Sequence, residues 1–246
     1  MNRSRIGLGV IAVATAGILA LAGCSQGAGD AGGSGGGDTS AIITTNGSEP
    51  QSALIPTMVN EVGGGKILDA MFAGLVYYDA KGAPHNDIAT SIESNDAINY
   101  TIKIRDDAKF TDGTTVKAKN FVDAWNYGAA LDNAQLNSYF FEDIEGFSYD
   151  ENVPELSGLK VVDDTTFTVT LNKAASDFPL RLGYSAYFPL PDSAWDDLEA
   201  YGQAPIGNGP YKIGEGDAWK HNEEIALVKN DDYNGPREVK NGGLTI

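Results

Sequence analysis

From residue 41 onward, short apolar runs alternate with polar punctuation at two distinct periods. Ala41 to Thr45 (AIITT) is a β-branched run ended by Asn46-Gly47, which predicts an opening buried strand and a turn. Ile67, Leu68, Met71, Phe72 and Leu75 recur at helical spacing after Gly63-Gly64-Gly65, so an amphipathic helix is expected there. Strand signals follow at Leu75 to Tyr78, with a turn at Asp79 to Gly82. Tyr100 to Arg105 alternates apolar and polar residues at period two, with one face in the core and the other in water. After a tight turn at Asp112-Gly113, Phe121, Val122, Trp125 and Ala129 form the stripe of a second helix, which marks Phe121 and Trp125 as core. Val161 to Leu171 predicts two short strands around Asp163-Asp164. Pro191 to Tyr201 predicts a short helix opened by Asp192 as N-cap. Gly209 to Ile213 and Glu224 to Val228 read as two further strands. Gly243 to Ile246 reads as the first residues of another strand with nothing after it, so the chain is expected to be incomplete.

The first 40 residues follow another pattern. Arg3 and Arg5 precede an uncharged run from Ile6 to Ala22, the layout of a secretory signal. A permanent membrane helix is the alternative, but the run contains Gly7, Gly9 and Gly17 and falls short of the roughly 20 residues that span a bilayer core. Leu21-Ala22-Gly23-Cys24 resembles the lipobox of bacterial lipoproteins, which implies cleavage after residue 23 and acylation of Cys24. Cys24 is the one cysteine of the chain, so no internal disulfide competes for it. Residues 24–40 then read as a Gly/Ser-rich tether whose typical span is about 20 to 24 Å. No Gly-Lys-Ser/Thr follows its glycines, so it is not a phosphate cradle.

A formal charge of −17 repels phosphate backbones and argues against a nucleic-acid partner. The 42% hydrophobic and 9% aromatic content argues for a packed core. Catalytic chemistry finds little support. His85 and His221 lie in polar stretches and read as solvated loop residues. There is no Gly-x-Ser-x-Gly elbow or His-Glu-x-x-His, and one cysteine with two distant histidines makes no usual zinc site. The paired acids Asp106-Asp107, Asp163-Asp164, Asp196-Asp197 and Asp231-Asp232 read mostly as turns, with a two-carboxylate glycosidase as the alternative. Neither a metal nor a cofactor is expected, and the chain is read as a non-enzyme.

Several segments, in order, resemble the oligopeptide and dipeptide substrate-binding lipoproteins of ABC importers, the bacterial extracellular solute-binding proteins of family 5. They are Gly47-Ser48-Glu49-Pro50-Gln51-Ser52, Gly82-Ala83-Pro84, Tyr100 to Arg105, Ala108 to Ala118, Gly158 to Leu171, Gly207 to Lys212 and Lys229 to Tyr233. The resemblance implies an α/β, periplasmic-binding-protein-like (class II) two-lobed fold. Only the first lobe would be present, as residues 41–58 and 157–246, with 59–156 as its inserted subdomain and the second lobe absent. It also implies capture of a short peptide outside the membrane, delivery to permease subunits, and lipid anchoring at the outer face of the cell membrane through Cys24. Relatives taking nickel, haem or glycosides, and an enzyme or adhesion scaffold on the same lobe, are the alternatives.

The resemblance places Glu49, Pro50 and Gln51 in a loop facing the cleft and Tyr139 where a cleft tyrosine sits, with core packing as the other reading of Tyr139. Gly207-Asn208-Gly209 would let a peptide backbone approach closely, with Asn208 free to donate or accept; a simple turn is the other reading. Where the family has Ser-Leu-Asp-Pro, this chain has Ser52-Ala53-Leu54-Ile55-Pro56 and lacks the acid.

Overall fold

The computed structural model describes residues 38–246; the expected export signal, Cys24 and nearly all of the expected tether lie outside the described residues. In chain order the elements are β1 (Ile42–Thr44), α1 (Val62–Met71), β2 (Val76–Tyr78), β3 (Pro84–Asn86), β4 (Ala89–Glu93), β5 (Asn99–Ile104) and α2 (Ala118–Ala129). They continue as β6 (Leu159–Asp163), β7 (Thr166–Thr170), α3 (Phe178–Arg181), α4 (Leu198–Gln203), β8 (Tyr211–Ile213), β9 (Trp219–Lys220), β10 (Glu224–Lys229) and β11 (Gly243–Thr245).

Among the described residues β2 and β3 form a two-stranded antiparallel sheet, and two larger sheets organise the other strands. The central sheet runs β1-β11-β10-β8, with β9 paired to β10. Its β1 and β11 are parallel, in register Ile43 to Leu244, so the two ends of the described chain meet in one sheet. The second sheet, β4-β5-β7-β6, is antiparallel throughout. In β5 the alternation holds as expected, with Tyr100, Ile102 and Ile104 buried and their neighbours exposed. The expected pair of strands around Asp163-Asp164 forms as β6 and β7, and Asp163 Oδ1 closes the turn by accepting from Thr165 N at 2.8 Å.

The expected division at residue 157 does not follow the sheets. β6 and β7 lie after it, yet β7 pairs with β5 residue for residue from Asn99–Thr170 to Lys103–Thr166. β1 also departs from expectation. Ile42 and Ile43 are 56% and 51% exposed, because β1 is an edge strand.

α2 packs on β6 and β7 through the predicted stripe. Phe121 and Trp125 are fully buried; Trp125 meets Phe167 edge-on at 5.5 Å and Tyr187 at 5.2 Å, and its Nε1–H donates to Tyr187 O at 3.0 Å. Edge-on aromatic pairs of this kind add about 0.5 to 1.5 kcal/mol beyond area burial.

The helix expected from Pro191 divides in two. A 3-10 turn covers Asp192–Trp195, and α4 is capped by Asp197, whose Oδ1 accepts from Ala200 N. Asp192 is not the cap; its Oδ1 accepts from Lys119 Nζ at 2.8 Å instead. Among the described residues no helix is long and apolar enough to cross a membrane.

Candidate functional site

The loop after β1 is the first of two walls around α1. Glu49 reaches from it to the turn between β9 and β10, where Oε1 bonds His221 Nδ1 at 2.6 Å and Oε2 accepts from Asn222 N at 2.8 Å. Partial burial works to raise the Glu49 carboxyl, but the Asn222 N–H and the His221 ring hold it below the ordinary range. Asn222 adopts the left-handed conformation, φ +62°, which asparagine tolerates better than most residues and which presents that N–H. Trp219 packs against the His221 ring at 4.6 Å, tilted by 36°. His221 therefore sits in an exposed turn as expected but is paired rather than solely solvated. His85 lies on β3, stacked on Tyr77 and 3.2 Å from Asp79.

Glu49 and Pro50, with Thr44 to Ser48, Trp219 and Ile246, line a cavity of about 440 Å³. Among the described residues, no hydrogen bond is made by the backbone N–H groups of Gly47, Ser48 and Glu49. Gln51 is exposed and turns its N–H toward Glu61 Oε1 at 3.4 Å.

Glu61 caps α1, its two carboxylate oxygens accepting from Gly63 N at 2.6 Å and Gly64 N at 2.8 Å. The three glycines thus form the first turn of the helix rather than preceding it. Gly63, Gly64, Ile67, Leu68 and Met71 are buried. The opposite stripe, Val62, Gly65, Lys66 and Asp69, lines a second cavity of about 600 Å³, whose far wall carries Tyr78 and Tyr184.

Tyr139 does not itself line this larger cavity but connects to it through its aromatic neighbours. It is half exposed, packs on Phe140 at 4.7 Å, and Phe140 stacks on Tyr184 at 4.3 Å, so three aromatic rings run in a row to the cavity wall. Arg237 also reaches the cavity, but its guanidinium is occupied. Nε donates to Asp87 Oδ2 at 3.0 Å, Nη1 to Asp69 O at 2.7 Å, and Nη2 to Phe72 O.

The expected role of Gly207-Asn208-Gly209 meets a physical obstacle. Asn208 is buried, and both ends of its amide pair with one residue, Oδ1 accepting from Ala73 N and Nδ2 donating to Ala73 O, each at 2.9 Å. A Cβ on Gly207 would stand 2.1 Å from Met71 O, and one on Gly209 would stand 2.6 Å from Phe72 N. These glycines admit the chain's own backbone at the end of α1, and the Asn208 amide is buried there with both of its ends engaged by Ala73. In the departed segment, Leu54 and Ile55 are buried, and Leu54 N donates to Gly202 O, so the acid's replacement is a core contact.

The acid pairs do not converge. Asp107 meets Arg105, Asp163 closes a turn and Asp197 caps a helix. Among the described residues no group of three or more His, Cys, Asp and Glu side chains could hold a metal.

Residues 83–246 match the family model of the bacterial extracellular solute-binding proteins, family 5 Middle. The chain belongs to this family. The oligopeptide-binding protein OppA of Bacillus subtilis is 30% identical over 233 residues, covering 90% of this chain and 42% of that protein. The periplasmic oligopeptide-binding protein OppA of Salmonella typhimurium is 29% identical over 208 residues, covering 80% of this chain and 37% of that protein. Among solved structures, Listeria monocytogenes OppA bound to peptide superposes with a TM-score of 0.75 at 27% identity, over 85% of this chain and 42% of that one. The chain thus spans about two fifths of the length of these family 5 relatives. The expected fold class is the one observed, the α/β architecture of a family 5 solute-binding lobe.

Missed from sequence were His221 and Asn222 as partners of Glu49, and Asp69 and Tyr184 on the larger cavity. The α1 stripe carried a signal for Asp69, since positions 62, 65, 66 and 69 are the complement of the apolar face. His221 and Asn222 had none, being more than 170 residues from Glu49.

Proposed function

We propose that this lobe forms one wall of a cleft that captures short peptides outside the membrane and delivers them to the permease of an ABC importer. The observation that carries the reading is the Gly47–Glu49 backbone beside a cavity, with three N–H donors that find no partner among the described residues. An extended peptide has a donor and an acceptor at every residue, and a protein that takes many sequences must satisfy them with its own main chain. Oligopeptide-binding relatives aligned over most of the chain support the same ligand class. Glu49, held rigidly by His221 and Asn222, adds a fixed negative charge at that edge, and Tyr139 a flat apolar surface. The Leu21-Ala22-Gly23-Cys24 motif supports anchoring of the exported protein by acylated Cys24.

The test uses the protein as its gene encodes it. Di- to pentapeptides are expected to raise its Tm by mass action, while free amino acids and sugars leave it unchanged. In the same preparation, Cys24→Ser is expected to move the protein from the membrane to the soluble fraction. No shift across a broad peptide library would overturn the peptide reading, and unchanged membrane association would overturn the anchor.

A further inference from the structure

The cavity on the exposed stripe of α1 carries more information than its size. Gly65 lies in the first turn of a helix, does not adopt positive φ, and a Cβ added to it meets nothing within 4 Å. Its neighbours Gly63 and Gly64 are different, since a Cβ on either would collide with Ser48 or with Glu61 and Val59. Glycine is a poor helix residue, and at 65 neither packing nor backbone conformation asks for it. What its missing side chain does is leave the cavity open.

The charges around the cavity are unevenly partnered. Lys66 Nζ donates to Asn46 O, Arg237 is taken up by Asp87 and two backbone carbonyls, and Glu61 caps the helix. Among the described residues, Asp69 alone of these four charged side chains has neither an ion pair nor a side-chain hydrogen bond. It is open to solvent within a concave wall, and the protein around it pushes its carboxyl above the ordinary value against the pull of Arg237. Tyr78 and Tyr184 line the same cavity, and an aromatic ring is a surface that favours a cation.

We propose that this cavity receives a basic side chain of the bound peptide, lysine or arginine, whose charged head meets Asp69 while its methylene stem lies against Tyr78 and Tyr184. The proposal rests on the reading of the protein as a peptide receptor and adds a preference that main-chain recognition cannot supply. The acidic surface as a whole draws the same ligands toward the lobe.

The experiment is isothermal titration of the protein as its gene encodes it with alanine peptides of three to five residues. One lysine is moved along them, and each peptide is paired with its norleucine counterpart. At one position lysine is expected to bind about tenfold more tightly than norleucine, the scale of a charge-assisted contact. Asp69→Asn is expected to bring that ratio close to one while leaving the norleucine peptides at wild-type affinity. Gly65→Met is expected to weaken the lysine peptide at that position with no fall in Tm, because its side chain enters the cavity rather than the core. Peptide binding with no lysine preference, or an Asp69→Asn protein that keeps it, overturns this proposal alone. Failure of every peptide to bind overturns it together with the peptide reading on which it rests.

Discussion

At the scale of single residues, the ion pair between Arg237 and Asp87 is the clearest case of a side chain whose role depends on its surroundings. The Asp87 carboxylate is wholly buried and is held by Arg237 Nε and by Tyr233 Oη–H at 3.0 to 3.1 Å. Burial raises its pKa, and Arg237 and Tyr233 only partly offset that. A carboxyl raised in the folded state contributes most below its unfolded pKa, and that contribution is lost as pH climbs through the folded value. In Arg237→Met the attraction is gone and the pKa rises further, so the charged form at neutral pH stands in the core with Tyr233 Oη–H but no cation beside it. The expected loss at pH 7 is about 3 to 5 kcal/mol. Urea unfolding of variant and wild type should show that loss shrinking as pH is lowered from 7 and Asp87 takes up a proton; a loss independent of pH would contradict this account. Little of this was legible in the sequence, because Asp87 and Arg237 are 150 residues apart. Asn208 taught the converse. A glycine-flanked asparagine suits a ligand edge and an internal backbone staple equally well until its partner, Ala73, is known.

At the scale of elements, α1 shows why one residue type carries opposite meanings within a single turn. The run Gly63-Gly64-Gly65 predicts a break before the helix, yet it forms the first turn because the Glu61 carboxylate takes up two of its free N–H groups. Glutamate is an uncommon N-cap, so the signal was weak. Gly63→Ala would place a Cβ 2.5 Å from the Ser48 carbonyl oxygen, a backbone atom that cannot step aside, and is expected to cost about 1 to 3 kcal/mol. Gly65→Ala points into open space and is expected to stabilise by up to about 1 kcal/mol through helix propensity alone. Chemical denaturation of the two variants tests the sign directly; the same sign for both would refute the packing argument. Elsewhere α2 and β5 were legible because their periods persist over several turns or alternations, whereas β3 and β4 are short and mix polar with apolar positions.

At the scale of the whole molecule, the sheets were legible as strands but not as partners. Apolar runs mark β1, β10 and β11 individually, yet nothing local says that β11 lies between the other two and runs parallel to β1. The same blindness hid the pairing of β7 with β5 across residue 157. The antiparallel sheet receives its last strand in β7, ending at Thr170, and the central sheet resumes with β8 at Tyr211. The two sheets differ in how they resist opening. β5 and β7 lie inside the antiparallel sheet with Ile102, Phe167 and Val169 fully buried beneath α2 and its aromatic cluster. Among the described residues β1 has one neighbour, and both its isoleucines are more than half exposed. Local opening follows buried contact and neighbour count, so its free energy should be near the global value in β5 and β7 and far lower in β1. Native-state hydrogen exchange on the chain is therefore expected to show Ile102 and Val169 amides among the slowest and Ile43 among the fastest. Uniform protection across the two sheets would mean that they open as one unit, and that the exposed edge at β1 is no weaker than the core of the second sheet.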